Sequence, residues 1–137
     1  MSKAGKEKRL DQLHEEIRQL NLEIPADLNK AIKLYSQAQI IIGHLDADAL
    51  YKAGALYAER KKTYAEAIRQ ASGTVAEKEA QAELAVNELR IAEAAAKAES
   101  RKWQNLFDSY DNLIIALRRD ERALYEEWQK ANELYDS

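Results

Sequence analysis

The residues able to do chemistry are few and scattered. The two histidines, His14 and His44, lie in separate segments, and neither begins a metal-binding pair at helical spacing. Each reads as a solvated or packing side chain rather than a ligand. Asp46 and Asp48 project to different sides of a helix, so they do not make the coupled carboxylate pair used in acid–base chemistry. The chain has no cysteine, which excludes a thiolate nucleophile, a disulfide framework and a cysteine-based metal site. There is no glycine-rich phosphate loop and no Ser–His constellation in the sequence. These residues describe a protein that is not an enzyme and takes no metal or cofactor.

What is left to act is charge. Arg60, Lys61 and Lys62 with Arg69 form one basic cluster, Arg101 and Lys102 a second, and Arg118 and Arg119 with Arg122 a third. Carboxylates flank each cluster, so the alternative for each is a solvated, salt-bridged helix face. Repeated around an oligomer, such clusters track a phosphate backbone. The total of 21 Lys and Arg against 24 Asp and Glu gives a net charge of −3, so no general affinity for nucleic acid is written in the sum. Binding would need local patches. Trp103 and Trp128 fall at core spacing and read as packing residues rather than platforms for stacked bases.

The elements that carry these residues are helices. Ala, Glu, Leu, Lys, Arg and Gln dominate the composition, as in long helices and coiled coils. The clearest punctuation is Ser72-Gly73-Thr74. Gly73 can take the left-handed backbone that ends a helix, and Thr74 with Glu77 forms a capping box that starts the next. One helix therefore stops near Ala71 and another starts at Val75. Two long helices joined by so short a link fold back antiparallel, as a rod-like hairpin with little room for an enclosed pocket. The length of 137 residues makes one structural unit. Residues 1–25 are a short N-terminal helix and a proline-containing link, and residues 26–137 are the hairpin with its turn at 72–74.

The first helix is expected over about Lys6 to Asn21, with Leu10, Leu13, Ile17, Leu20 and Ile24 at alternating three- and four-residue steps. It is too short to stand alone in water. Pro25 separates it from the second helix, over roughly Ala26 to Ala71, and Asp27 suits that helix's N-terminus. An apolar stripe runs through Leu34, Ala38, Ile41, Leu45, Ala53, Leu56 with Tyr57, Tyr64, Ile68 and Ala71. Its weak point is the segment from Gly43 to Asp48, where glycine costs about 1 kcal/mol and two aspartates prefer caps to interiors. A kink or short break is weighed there against an unbroken helix.

The third helix, about Val75 to Tyr135, carries an apolar residue every seven: Ala82, Leu89, Ala96, Trp103, Tyr110, Leu117, Leu124 and Ala131. Ala85, Ala92, Leu106, Leu113 and Leu134 take the companion position, interrupted by Glu99, Asp120 and Glu127. At about 1.5 Å per residue, this helix is roughly 90 Å long and the second roughly 70 Å. The simplest arrangement lays the first helix along the C-terminal end of the third; the alternative gives it to a neighbouring subunit. From Trp103 onward the stripe widens to Trp103, Leu106, Phe107, Tyr110, Leu113, Ile114 and Leu117. A helix apolar over more than one face needs more than one neighbour, so these seven are expected to form the contacts of a coiled-coil-like homo-oligomer.

No apolar run reaches the roughly 18–20 residues needed to span a bilayer, so no membrane partner is expected. Lys3, Lys6, Lys8 and Arg9 have no apolar stretch after them, so they do not open a secretory signal. Without cysteine, a reducing cytoplasm is the expected compartment.

In order and spacing of elements the chain resembles the UvsY-type recombination mediators of T-even-like phages. The features that carry the resemblance are the leading helix Arg9-Leu10-Asp11-Gln12-Leu13-His14-Glu15-Glu16, Leu34-Tyr35-Ser36 opening a helix that continues into Glu59-Arg60-Lys61-Lys62, the turn at Ser72-Gly73, and Trp103 ahead of the run from Asp111 to Arg119. The resemblance implies a ring-forming homo-oligomer in the host cytoplasm that binds single-stranded DNA. It also implies that the protein helps a phage recombinase or annealing protein displace the single-strand-binding protein. Such families place DNA contacts on the helix before the hairpin turn, which here means Arg60, Lys61, Lys62 and Arg69, although Ala65, Glu66 and Ala67 interrupt that zone. The rival is a structural, scaffolding or adaptor helical oligomer of virion assembly that makes no DNA contact.

Overall fold

The structure, a computed structural model, describes residues 1–136. It is all-α: α1 spans Lys3–Arg18, α2 spans Pro25–Gln70 and α3 spans Val75–Asp136. There is no strand among the described residues.

Helix ends follow the capping chemistry. The Ser2 hydroxyl accepts the Gly5 N–H at 3.0 Å, so α1 starts about one turn earlier than the apolar pattern suggests. It also ends earlier, at Arg18, where the Gln19 N–H donates to the Glu16 carbonyl at 3.2 Å and the Leu20 N–H to the Ile17 carbonyl at 3.0 Å. In the link that follows, the Asn21 N–H donates to Asp27 Oδ2 at 3.0 Å and the Glu23 N–H to Asn21 Oδ1 at 3.0 Å. Asp27 thus ties the link to the first turn of α2. Between α2 and α3 the Glu77 N–H donates to Thr74 Oγ1 at 3.2 Å and the Thr74 N–H to Glu77 Oε2 at 3.4 Å. Gly73 has φ 111°, a conformation open to glycine but costly for residues with a Cβ.

The chain divides into two compact units, each containing part of the long helices. One unit contains residues 1–45 and α3 from Trp103 onward. The other is the segment from Asp46 to Lys102.

The first unit is a three-helix packing. Leu10, Leu13 and Ile17 of α1 share a core with Leu34, Ala38, Ile42 and Leu45 of α2 and with Trp103 and Tyr110 of α3. So α1 packs within its own chain, around the middle of α3 rather than along its last turns. His14 and Tyr110 share a hydrogen bond between Nε2 and the phenol oxygen, and Tyr35 meets Tyr110 edge-on with centroids 5.4 Å apart. Burial pushes His14 below its ordinary value and Tyr110 above its own, because both rings lose solvent for their charged forms. A second cluster joins Leu28 and Ile32 of α2 to Ile114 and Leu117 of α3.

These contacts give the wide stripe partners within the chain. Trp103, Tyr110, Ile114 and Leu117 are buried, while Leu106, Phe107 and Leu113 are partly buried and pack against the two clusters. For Trp103, Leu106, Phe107 and Tyr110 the extra neighbour that the stripe required is α1, while Leu113, Ile114 and Leu117 pack on α2.

The break weighed at Gly43 is absent, and α2 is continuous through Asp48. Gly43 faces the Phe107 ring, where an added Cβ would lie 3.5 Å from the nearest ring carbon, an ordinary van der Waals distance. Asp46 has a partner in the second unit, since Ser100 Oγ donates to its Oδ1 at 2.5 Å. Neither residue therefore pulls the helix open.

The companion position of the α3 seam is also corrected. The seven-residue series from Ala82 to Leu124 is right, but its companions lie four residues on rather than three. In the second unit these are Val86, Glu93 and Ser100, all buried. In the first they are Phe107, Ile114 and Glu121, while Ala85 and Asp120 face solvent. The apolar series at Ala85, Ala92, Leu106 and Leu113 was the more oily of the two. The packed series instead includes two carboxylates and a hydroxyl, each of which has a polar partner on α2.

Two substitutions separate glycine used as glycine from glycine merely tolerated. Gly43→Ala should stabilise the chain by up to about 1 kcal/mol through helix propensity, because its methyl meets Phe107 without overlap. Gly73→Val should cost about 1 kcal/mol or more through the positive φ. Urea unfolding followed by circular dichroism reads both. A destabilised Gly43→Ala would mean that α2 is not continuous there.

Candidate nucleic-acid interface

The basic residues ahead of the hairpin turn all lie on α2 in the second unit, but they are not equivalent. Arg60 points inward. Its Nε donates to Glu93 Oε2 at 2.7 Å, and the two side chains are 15% and 5% exposed. Lys97 Nζ reaches the other carboxylate oxygen, Oε1, at 3.1 Å. Hydrogen bonds from Arg60 and then Lys97 hold the Glu93 carboxyl below its ordinary value, and the same bond raises Arg60. Arg60, expected to meet DNA, also ties α2 to α3 through this contact.

Lys61, Lys62 and Arg69 are exposed. None of the three has a carboxylate within ion-pair distance among the described residues. Lys62 and Arg69 are seven residues apart and so share a helix face, about 10 Å apart along the axis. Lys61 rests its ammonium over the Tyr57 ring, 5.5 Å from the centroid, and Arg60 lies 5.2 Å from the same ring. A cation over an exposed ring gains about 0.5–1 kcal/mol, enough to bias where Lys61 holds its charge. Tyr57, expected in the buried stripe, is 47% exposed.

Two participants were not found from the sequence. The sequence reading does not single out Glu93, whose signal is its place eleven residues after Ala82 on the seam. Tyr57 was read as core. Its spacing of three to Arg60 and four to Lys61 places ring and cations on one helix surface.

Elsewhere Arg90 pairs with Glu83 through Nη2 at 2.9 Å, both half exposed, and Arg18 pairs with Glu15 at 3.2 Å at the surface. Such pairs contribute little but neutralise cations that the sequence counts as available. Arg118, Arg119 and Arg122 are exposed on α3 in the first unit. Trp128, read as packing, is 58% exposed, whereas Trp103 is buried. Among the described residues no group of three His, Cys, Asp or Glu is arranged to hold a metal ion, and no helix is long and apolar enough to cross a membrane.

Comparison with protein-family models, with curated proteins and with solved structures finds no match.

The Glu93 carboxyl makes stability depend on pH. Its folded value lies below the 4.5 of a free glutamate, so the unfolded chain takes up a proton first on acidification. The stabilisation is complete above about pH 4.5 and drains away as pH falls through the lower folded value. Wild type should therefore lose stability more steeply below pH 4.5 than Glu93→Gln does, measured by urea midpoints between pH 6 and 3. Parallel curves would mean that the Arg60–Glu93–Lys97 contact does not exist in solution.

Proposed function

We propose that this chain is a non-enzymatic mediator that binds single-stranded DNA and assists a recombinase or annealing protein in loading onto it. The observation that carries the reading is the exposed surface of α2 ahead of the turn, where Lys61, Lys62 and Arg69 have no ion-pair partner among the described residues while Arg60 beside them pairs with Glu93. The resemblance in element order to the UvsY-type mediators supports it. Three cations per chain make a weak site, and repetition in a homo-oligomer multiplies them along one strand. Phosphate contacts carry no base information, so binding should be indifferent to sequence.

A structural or adaptor role without DNA contact is the second reading. It is favoured by the pairing of Arg60 with Glu93, which removes one of the four cations from the proposed surface.

Fluorescence anisotropy with labelled oligonucleotides across a salt series decides between them. For single strands the log–log slope is about −0.7 per phosphate neutralised, so the wild-type slope should reach several units if copies act together. Lys61, Lys62 and Arg69 changed together to Ala should flatten it with no loss of helicity. Arg60→Ala should lower stability yet leave the slope nearly unchanged, because that cation does not face solvent. Absence of binding at low salt would transfer the assignment to the structural reading.

A further inference from the structure

The last turns of α3 present an apolar face that the first unit does not use. Asn29 Nδ2 donates to Glu121 Oε2 at 3.0 Å, which sets the antiparallel register of α2 on α3. Counting along it, the first residue of α2, Pro25, comes opposite about Tyr125. Past that point the face that buries Ile114 and Leu117 runs on through Leu124 to Trp128 and Tyr135. Tyr125, Trp128 and Tyr135 are 64%, 58% and 94% exposed. Ile24, Pro25 and Ala26 on one side and α3 on the other, including Leu124, Tyr125 and Trp128, border an open groove of about 1050 Å³.

We infer that this end of α3 is where a second copy of the chain docks, antiparallel about a two-fold axis near Tyr125 and Trp128. The inference is independent of the nucleic-acid reading and replaces the stretch from Trp103 to Leu117 as the contact between copies. Charge favours a second copy in this orientation. Residues 118–122 carry three arginines against Asp120 and Glu121, a surplus of one positive charge, while residues 126–136 carry Glu126, Glu127, Glu133 and Asp136 against Lys130, a surplus of three negative charges. Antiparallel pairing sets the more basic end of each copy toward the acidic end of the other, whereas parallel pairing stacks the two acidic ends together. The helix dipoles also oppose in that arrangement. A two-fold contact uses one patch twice, so the same rings serve both sides.

The area suffices. An aromatic side chain brings roughly 150–250 Å², so the three exposed rings on each of two copies supply on the order of 900 Å². With Leu124 and Ile24 added, the contact reaches the roughly 1,000 Å² that specific interfaces need.

Sedimentation equilibrium on the full chain tests this. Wild type should self-associate at micromolar concentration, and Trp128→Glu should weaken association at least 100-fold while its circular dichroism spectrum stays unchanged. Because the chain lacks cysteine, orientation can be read by cross-linking. Arg118→Cys mixed with Asp136→Cys should form a disulfide-linked pair, whereas Asp136→Cys alone should not. A wild-type monomer at 100 μM, or Trp128→Glu associating as wild type does, overturns the proposal. Efficient cross-linking of Asp136→Cys to itself overturns the antiparallel arrangement.

Discussion

Everything in the two long helices depends on one requirement: a polar group placed on a buried seam must find its partner across that seam. Buried polar atoms without hydrogen bonds are costly, and α3 places Glu93 and Ser100 on its packed face within the second unit. Arg60 and Asp46 of α2 answer them. A one-residue slip of α2 would bury both groups without partners, whereas the small apolar residues around them, Ala49, Ala53, Ala82 and Ala96, would tolerate such a slip with little loss. Alanine allows close approach and the polar pairs choose the register. In the first unit Glu121 bonds Asn29 at a more exposed position, and large side chains do most of the specifying there.

The same requirement divides the surface. Arg60 belongs to the seam, although its neighbours in sequence, Lys61 and Lys62, face solvent. Adjacent helical residues point about 100° apart, so a run of three cations cannot act as one patch. The patch left is narrower than the cluster suggests, and its members are chosen by helical geometry rather than proximity in the chain. α3 shows the converse. Its seam pattern continues past the start of α2, and residues of core type stand exposed because the helix they would pack on has ended.

Much of the architecture was legible without coordinates. The helical turn could be read because glycine and the capping box act locally, through backbone conformation and hydrogen bonds within four residues. The seven-residue series on α3 could be read because it reports the helix period alone. The choice of companion position could not, since three or four residues on from Ala82 both fit that period and the apolar series looked better. Nor could the fate of Gly43 and Asp46, which hangs on Phe107 and Ser100, each more than 50 residues away.

What the sequence determined by itself was helix identity, the turn at Gly73 and one face of α3, since all three follow from interactions within a few residues. Only the tertiary structure decided which cations remain for a partner and which aromatics are spent on the core. Arg60 and Lys61 are adjacent cations with nothing local to say which one faces α3, and Trp103 and Trp128 are alike as members of an apolar stripe. Whether Glu93 or α1 stands opposite is a fact about packing across the chain, and it alone separates the members of each pair.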